Sequence, residues 1–152
     1  MFQGLHHHLL DEKGRLAFPS PFRMQLAEQS VADRFVLTQS FYEPCLVGWT
    51  EEQFSARVAR VRALPPSNPA VMDFKRVVIA SATPVTVDKA GRVSIPKELR
   101  DYAGLEREVV WAGVDENVEI WSKGRWDERN TRRLADRVSL DESRRFFEQN
   151  GL

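Results

Sequence analysis

A chain of 152 residues with 42% hydrophobic and 29% charged residues is long enough for one ordinary domain or two small halves sharing a core, so disorder is not the expectation. Lys and Arg together number 22, as do Asp and Glu, so the zero net charge lacks the basic excess of many nucleic-acid binders and any such role must come from local clusters or assembly. One cysteine, Cys45, excludes an intrachain disulfide and a four-cysteine zinc site; no apolar run reaches the roughly 20 residues that cross a bilayer, and the start MFQGLHHHLL reads as no leader, which together predict a cytoplasmic protein.

In chain order, the runs around Leu9-Leu10-Asp11 and Arg15-Leu16-Ala17-Phe18 flank a tight Glu12-Lys13-Gly14 turn and read as a hairpin. A short helix follows, with Pro19 in its first turn and Phe22 and Leu26 on its apolar stripe. Residues 35–39 and 45–49 read as a strand pair. Thr50-Glu51-Glu52-Gln53 is a capping box opening a helix to about Leu64, with Phe54, Val58, Val61 and Leu64 at helical spacing. Pro65-Pro66-Ser67-Asn68-Pro69 marks a boundary, and a helix is predicted from about 70 to 82. Val85 to Asp88 and Arg92 to Ile95 repeat the hairpin pattern, a helix with Leu99 and Tyr102 follows Pro96, and 109–114 pairs with 118–122 across the turn Asp115-Glu116-Asn117. Helices are predicted over 123–137 and from a second capping box at Ser139.

The organisation is therefore a duplication. Asp11-Glu12-Lys13-Gly14-Arg15 with Pro19 and Arg23 recurs 77 positions later as Asp88-Lys89-Ala90-Gly91-Arg92 with Pro96 and Arg100. Asp11 and Asp88 are read as accepting backbone hydrogen bonds within their turns, and Gly14 and Gly91 as taking the left-handed position. No turn geometry demands Arg15 and Arg92, and pairing with the aspartate four positions earlier would be a weak exposed salt bridge; a planar guanidinium repeated at one site suits recognition of a base edge or a phosphate. Lys13, Lys89, Arg23 and Arg100 join them by charge and proximity. Each motif region carries a net charge of +1, too little for one chain to neutralise several phosphates, so DNA binding requires homo-oligomerisation.

The phrases DEKGRLAFP and DKAGRVSIP, with FYEPCL, LRDYAGLEREVV and EIWSKGRW, resemble the MraZ family of bacterial transcriptional regulators over most of residues 1–130. The resemblance implies an α+β, β-rich fold of two tandem AbrB-like, swapped-hairpin (double-psi-like) barrel halves forming an intrachain pseudo-dimer. The expected boundaries are 5–52 and 83–126 for the halves, 53–82 for a helical connector and 127–152 for a helical tail. It further implies a ring-shaped homo-oligomer that binds direct repeats in double-stranded promoter DNA of the division and cell wall gene cluster, its own promoter included, with nucleoid association, no cofactor and no membrane partner. Carried over by residue, its motif falls on Asp11 and Arg15, and on Asp88 and Arg92. His6-His7-His8 and Val47-Gly48-Trp49 depart from the family pattern.

Three other readings stand beside this one. His6 and His8, on one strand face, and Cys45 are a weak metal set. Asp11 and Asp88 as a shared-proton dyad would make a barrel hydrolase, but arginines four residues on would hold both ionised, so no enzyme is expected. A scaffold without DNA would use Trp49, Trp111, Trp121 or Trp126 as interface anchors, residues that their spacing assigns to a core; Arg125, Arg129, Arg132 and Arg133 read as a solvated helix face.

Overall fold

The computed structural model describes residues 1–29 and 33–152. They form two compact units, Met1–Ser122 and Lys123–Leu152.

The first unit contains strands β1 (Phe2–Leu9), β2 (Arg15–Ala17), β3 (Arg34–Gln39) and β4 (Leu46–Trp49), then β5 (Thr83–Thr86), β6 (Arg92–Ser94), β7 (Glu108–Asp115) and β8 (Val118–Ser122). Its helices are α1 (Ser20–Gln29), α2 (Glu51–Arg62), α3 (Pro69–Phe74) and α4 (Lys97–Ala103). The fold is α+β, with a six-stranded antiparallel sheet in the order β1-β7-β8-β4-β3-β5 and a two-stranded sheet β2-β6. Duplication equates β1 to β4 with β5 to β8. Exchanging the two sets leaves the sheet order unchanged on reversal, so a pseudo-two-fold axis runs between β4 and β8.

This topology corrects the simple hairpin expectation. The strands on either side of the first turn do not continue as a pair: β1 lies against β7, and β2 crosses to β6. The second copy does the same, with β5 on β3. The halves thus complete one another, and their core is common. Phe18 stacks on Phe35 at 5.2 Å and meets Trp111 of the second half edge-on at 5.2 Å, with Phe22 6.3 Å from the same indole. Leu16, Val93, Trp111 and Ile120 are fully enclosed. Each such aliphatic side chain contributes about 1.5–3 kcal/mol by leaving water.

Local signals place most of the helices. Thr50 Oγ1 accepts from Gln53 N–H while Gln53 Oε1 accepts from Thr50 N–H, the capping box that starts α2. The long helix expected over 70–82 is instead α3, capped by Asn68, running into a π-helical turn at Lys75–Ile79. There Ala80 N–H reaches back to Lys75 O, and Ser81 Oγ donates to Val77 O. Pro19 and Pro96 stand immediately before α1 and α4 and not within their first turns; their carbonyls accept the first helical N–H groups. Gly48, which interrupts an otherwise apolar strand, has a steric reason: a Cβ there would lie 2.8 Å from Val118 Cγ2.

The second unit is a pair of helices, α5 (Lys123–Ala135) and α6 (Arg137–Gln149). The capping box expected at Ser139 does not open the last helix. α6 starts earlier, with Asp136 as its cap accepting from Ser139 N–H. An aspartate three residues upstream is the acceptor in place of the serine, which donates to it. No helix among the described residues is long and apolar enough to cross a membrane.

Candidate nucleic-acid interface

Each motif is a turn built around its aspartate. Asp11 Oδ1 accepts the N–H groups of Lys13 and Arg15, both at 2.9 Å, and Gly14 N–H closes onto Asp11 O at 3.0 Å. In the second copy Asp88 Oδ1 accepts Arg92 N–H at 2.9 Å and Gly91 N–H closes onto Asp88 O at 3.0 Å. Gly14 and Gly91 have φ of +77° and +76°, the left-handed region where a side chain is strained. The backbone N–H of Arg15 is the largest influence holding the Asp11 carboxyl below the ordinary aspartate range, and that of Arg92 does the same for Asp88.

Sequence reasoning sets aside the pairing of each arginine with its aspartate as a weak exposed salt bridge; Arg15 does hydrogen-bond Asp11, whereas Arg92 Nε is buried without a hydrogen-bond partner among the described residues. Arg15 Nε donates to Asp11 Oδ2 at 2.7 Å, and Arg92 Nε stands 3.7 Å from Asp88 Oδ2. Asp11 thereby uses one oxygen on the backbone and the other on the guanidinium, so the aspartate aims the arginine as well as shaping the turn. Only Nε of Arg15 is engaged among the described residues, and the terminal Nη1 and Nη2 fork remains open.

The fold then brings the two turns together. In the β2–β6 ladder Arg15 faces Ser94 and Arg92 faces Ala17, so both arginines project from one face of a two-stranded ribbon; Leu16 and Val93 alternate to the other face and are buried in the core. The turns are also stitched crosswise: Phe18 N–H donates to Gly91 O at 2.8 Å and Ile95 N–H to Gly14 O at 2.9 Å. Asp88 lies close enough to Arg15 for that cation to lower its pKa further. Arg15 and Arg92 are 33% and 39% exposed, and Lys13 and Lys89 stand exposed on the turns.

Arg23 and Arg100 sit differently from the lysines. The Arg100 guanidinium lies over Gly14 of the opposite copy while its Nε donates to Ile95 O at 3.0 Å. Arg23 approaches Gly91 in the mirrored relation and pairs with Asp33 at 3.0 Å. Sequence reasoning misses Asp33. The only sequence signal near it is the shared 77-residue offset of the two arginines, which carries no information about which glycine each covers.

His6 packs edge-on against Phe22 at 4.8 Å, with its Nε2 buried and without a hydrogen-bond partner, while His8 is held below its ordinary pKa first by burial and then by His6 and His7. Cys45 is buried, and the described residues contain no cluster of three His, Cys, Asp or Glu side chains arranged to hold a metal. Trp49, Trp111 and Trp121 are core residues, as their spacing indicates, and Trp126 on α5 is half-buried. Asp11 and Asp88 are each held ionised within their own turns, the opposite of a dyad in which one carboxyl is kept protonated.

Comparison with known proteins gives two matches to one family model, described as "MraZ protein, putative antitoxin-like", over residues 1–77 and 78–147. The chain is 42% identical over 127 residues to "Transcriptional regulator MraZ" of Acetivibrio thermocellus, covering 84% of this chain and 85% of that protein. The protein of the same name from Nocardioides sp. is 41% identical over 141 residues, covering 93% and 94%. That of Caldicellulosiruptor bescii is 35% identical over 152 residues, the full length of both.

Proposed function

The chain belongs to the MraZ family of transcriptional regulators, and we propose that it regulates by laying the β2–β6 ribbon against double-stranded DNA, with Arg15 and Arg92 as the readers. The observation that carries this reading is the placement of both arginines on the outer face of one ribbon, two residues apart in register. A two-stranded ribbon is one of the elements that the major groove admits, and an arginine fork fits the two acceptors of guanine. Asp11 holds Arg15 by Nε alone, which suits a bidentate contact through Nη1 and Nη2. Lys13 and Lys89 are positioned for phosphates, whereas Arg23 and Arg100 act first by bracing the opposite turn.

In this reading the target is a set of direct repeats in the promoter of the division and cell wall gene cluster, its own promoter included. The halves 5–52 and 83–126 furnish the ribbon, 53–82 connects them and 127–152 is the tail. Because the chain is neutral overall and each turn region has a net charge of +1, several copies must act on one duplex, and a ring-shaped homo-oligomer at the nucleoid meets that need.

The test is a titration of the chain's own upstream DNA with wild type, Arg15→Ala and Arg92→Ala across salt concentrations. Removing either bidentate arginine should cost about 1–3 kcal/mol and relax sequence preference. Unchanged binding by both variants sinks the assignment of the ribbon. Light scattering decides assembly, and a persistent monomer that still binds tightly contradicts the avidity argument.

A further inference from the structure

On the first unit, away from the turns, α2, α3 and the segment joining β3 to β4 enclose a groove of about 650 Å³, within the range of small-molecule sites. Its walls include Trp49, Phe41, Phe74 and Val71, an aromatic and aliphatic lining from separate elements. The polar groups on that lining are one-sided. Arg57 lies with its guanidinium carbon 4.4 Å from the Trp49 ring centroid, and neither Arg57 nor Arg60 has an ion-pair partner among the described residues. Gln53 accepts Thr50 N–H at 3.0 Å and Asn68 accepts Ala70 N–H at 3.0 Å. Since both partners are backbone donors, the engaged atom of each amide must be its carbonyl oxygen, leaving the NH₂ group as the part not committed to a helix cap. Two guanidinium and two amide side chains with uncommitted donors therefore line the groove, against one carboxylate, Glu116.

We infer that this groove binds an apolar small molecule carrying one anionic group, a carboxylate or a phosphate. The aromatic walls take the apolar body. Arg57 and Arg60, one helical turn apart on α2, take the anion, with Gln53 and Asn68 completing its donors. Arg57 is already oriented on Trp49 by an interaction that does not neutralise it, so little of its side-chain freedom remains to be given up on binding. Glu116 opposes a second negative charge, so a carboxylate should bind more tightly than a phosphate monoester, which carries about −1.5 to −2 charges near pH 7.

The full-length protein is titrated with dodecanoate and with dodecyl phosphate below micelle formation, and with dodecanol as the uncharged control. The indole N–H resonance of Trp49, anchored on Thr38 Oγ1 at 3.1 Å, reports occupancy. A saturable shift with either anion, at least about tenfold weaker with dodecanol, is expected, and the two anions identify which headgroup is preferred. Arg57→Ala with Arg60→Ala should weaken anion binding at least about tenfold relative to dodecanol, so that the preference for the anions over the alcohol disappears. Ala56→Trp, which fills the groove without removing a donor, should abolish both responses with the circular dichroism spectrum preserved. Equal affinity for anion and alcohol overturns the proposal. So does a silent Trp49 in the wild type, whether or not Ala56→Trp lowers the oligomer mass; a lowered mass with a silent wild type would make the groove a contact between copies.

Discussion

Arg100 covers Gly14 so closely that a Cβ at that glycine would lie 2.8 Å from the guanidinium carbon. The counterpart in the other copy is looser, since a Cβ at Gly91 would stand 3.7 Å from Arg23 Nη1. Both glycines have positive φ, so alanine at either should cost about 1–2 kcal/mol from backbone strain. Gly14→Ala must also shift the Arg100 guanidinium that donates to Ile95 O, so it should be the more destabilising of the two in urea unfolding. Equal destabilisation would show that the arginine moves without cost.

The two turn aspartates give a pH dependence with a definite sign. Their folded pKa values lie below the ordinary range, chiefly through backbone N–H groups. Their stabilisation is therefore fully present above the ordinary aspartate value of about 3.9 and is lost as pH falls through the depressed folded values. Carboxyl carbon NMR titration should find both midpoints below that value. A midpoint at or above it, for either residue, would mean that the turn does not hold its carboxylate as described.

Under the proposed reading, Lys13 and Lys89 separate electrostatic anchoring from folding. Both are exposed, so Lys13→Ala and Lys89→Ala should leave the thermal midpoint unchanged while weakening DNA binding at low salt. Removing one lysine–phosphate interaction should flatten the slope of log affinity against log salt by about 0.9. A parallel displacement with the slope preserved would argue against a phosphate partner for that lysine.

Gly48 tests the close approach of β4 and β8. Besides its approach to Val118, a Cβ would lie 3.2 Å from Phe35 Cδ2, and both neighbours are buried. Gly48→Ala should cost about 1–3 kcal/mol by overpacking, measured as a lower urea midpoint with no change in slope. A stabilised variant would show that the sheet yields at this point.

The sequence by itself determined the duplication, the Asp-Gly-Arg turns, the capping box at Thr50 and the paired strands β3–β4 and β7–β8. Those features rest on short-range chemistry: an aspartate accepts N–H groups two and four residues on, and a strand shows its buried face by alternation. Only the tertiary structure decided which partner each outer strand takes. Alternation records a strand's buried face and says nothing about which neighbour satisfies its backbone N–H and C=O groups. With two copies of one motif in the chain, β2 fits the pattern of its own half as well as that of the other. The shared core settles this ambiguity by burying Leu16 and Val93 on one side of the β2–β6 ribbon. The same choice puts Arg15 and Arg92, 77 residues apart in the chain, on one face, and sets Arg100 over Gly14.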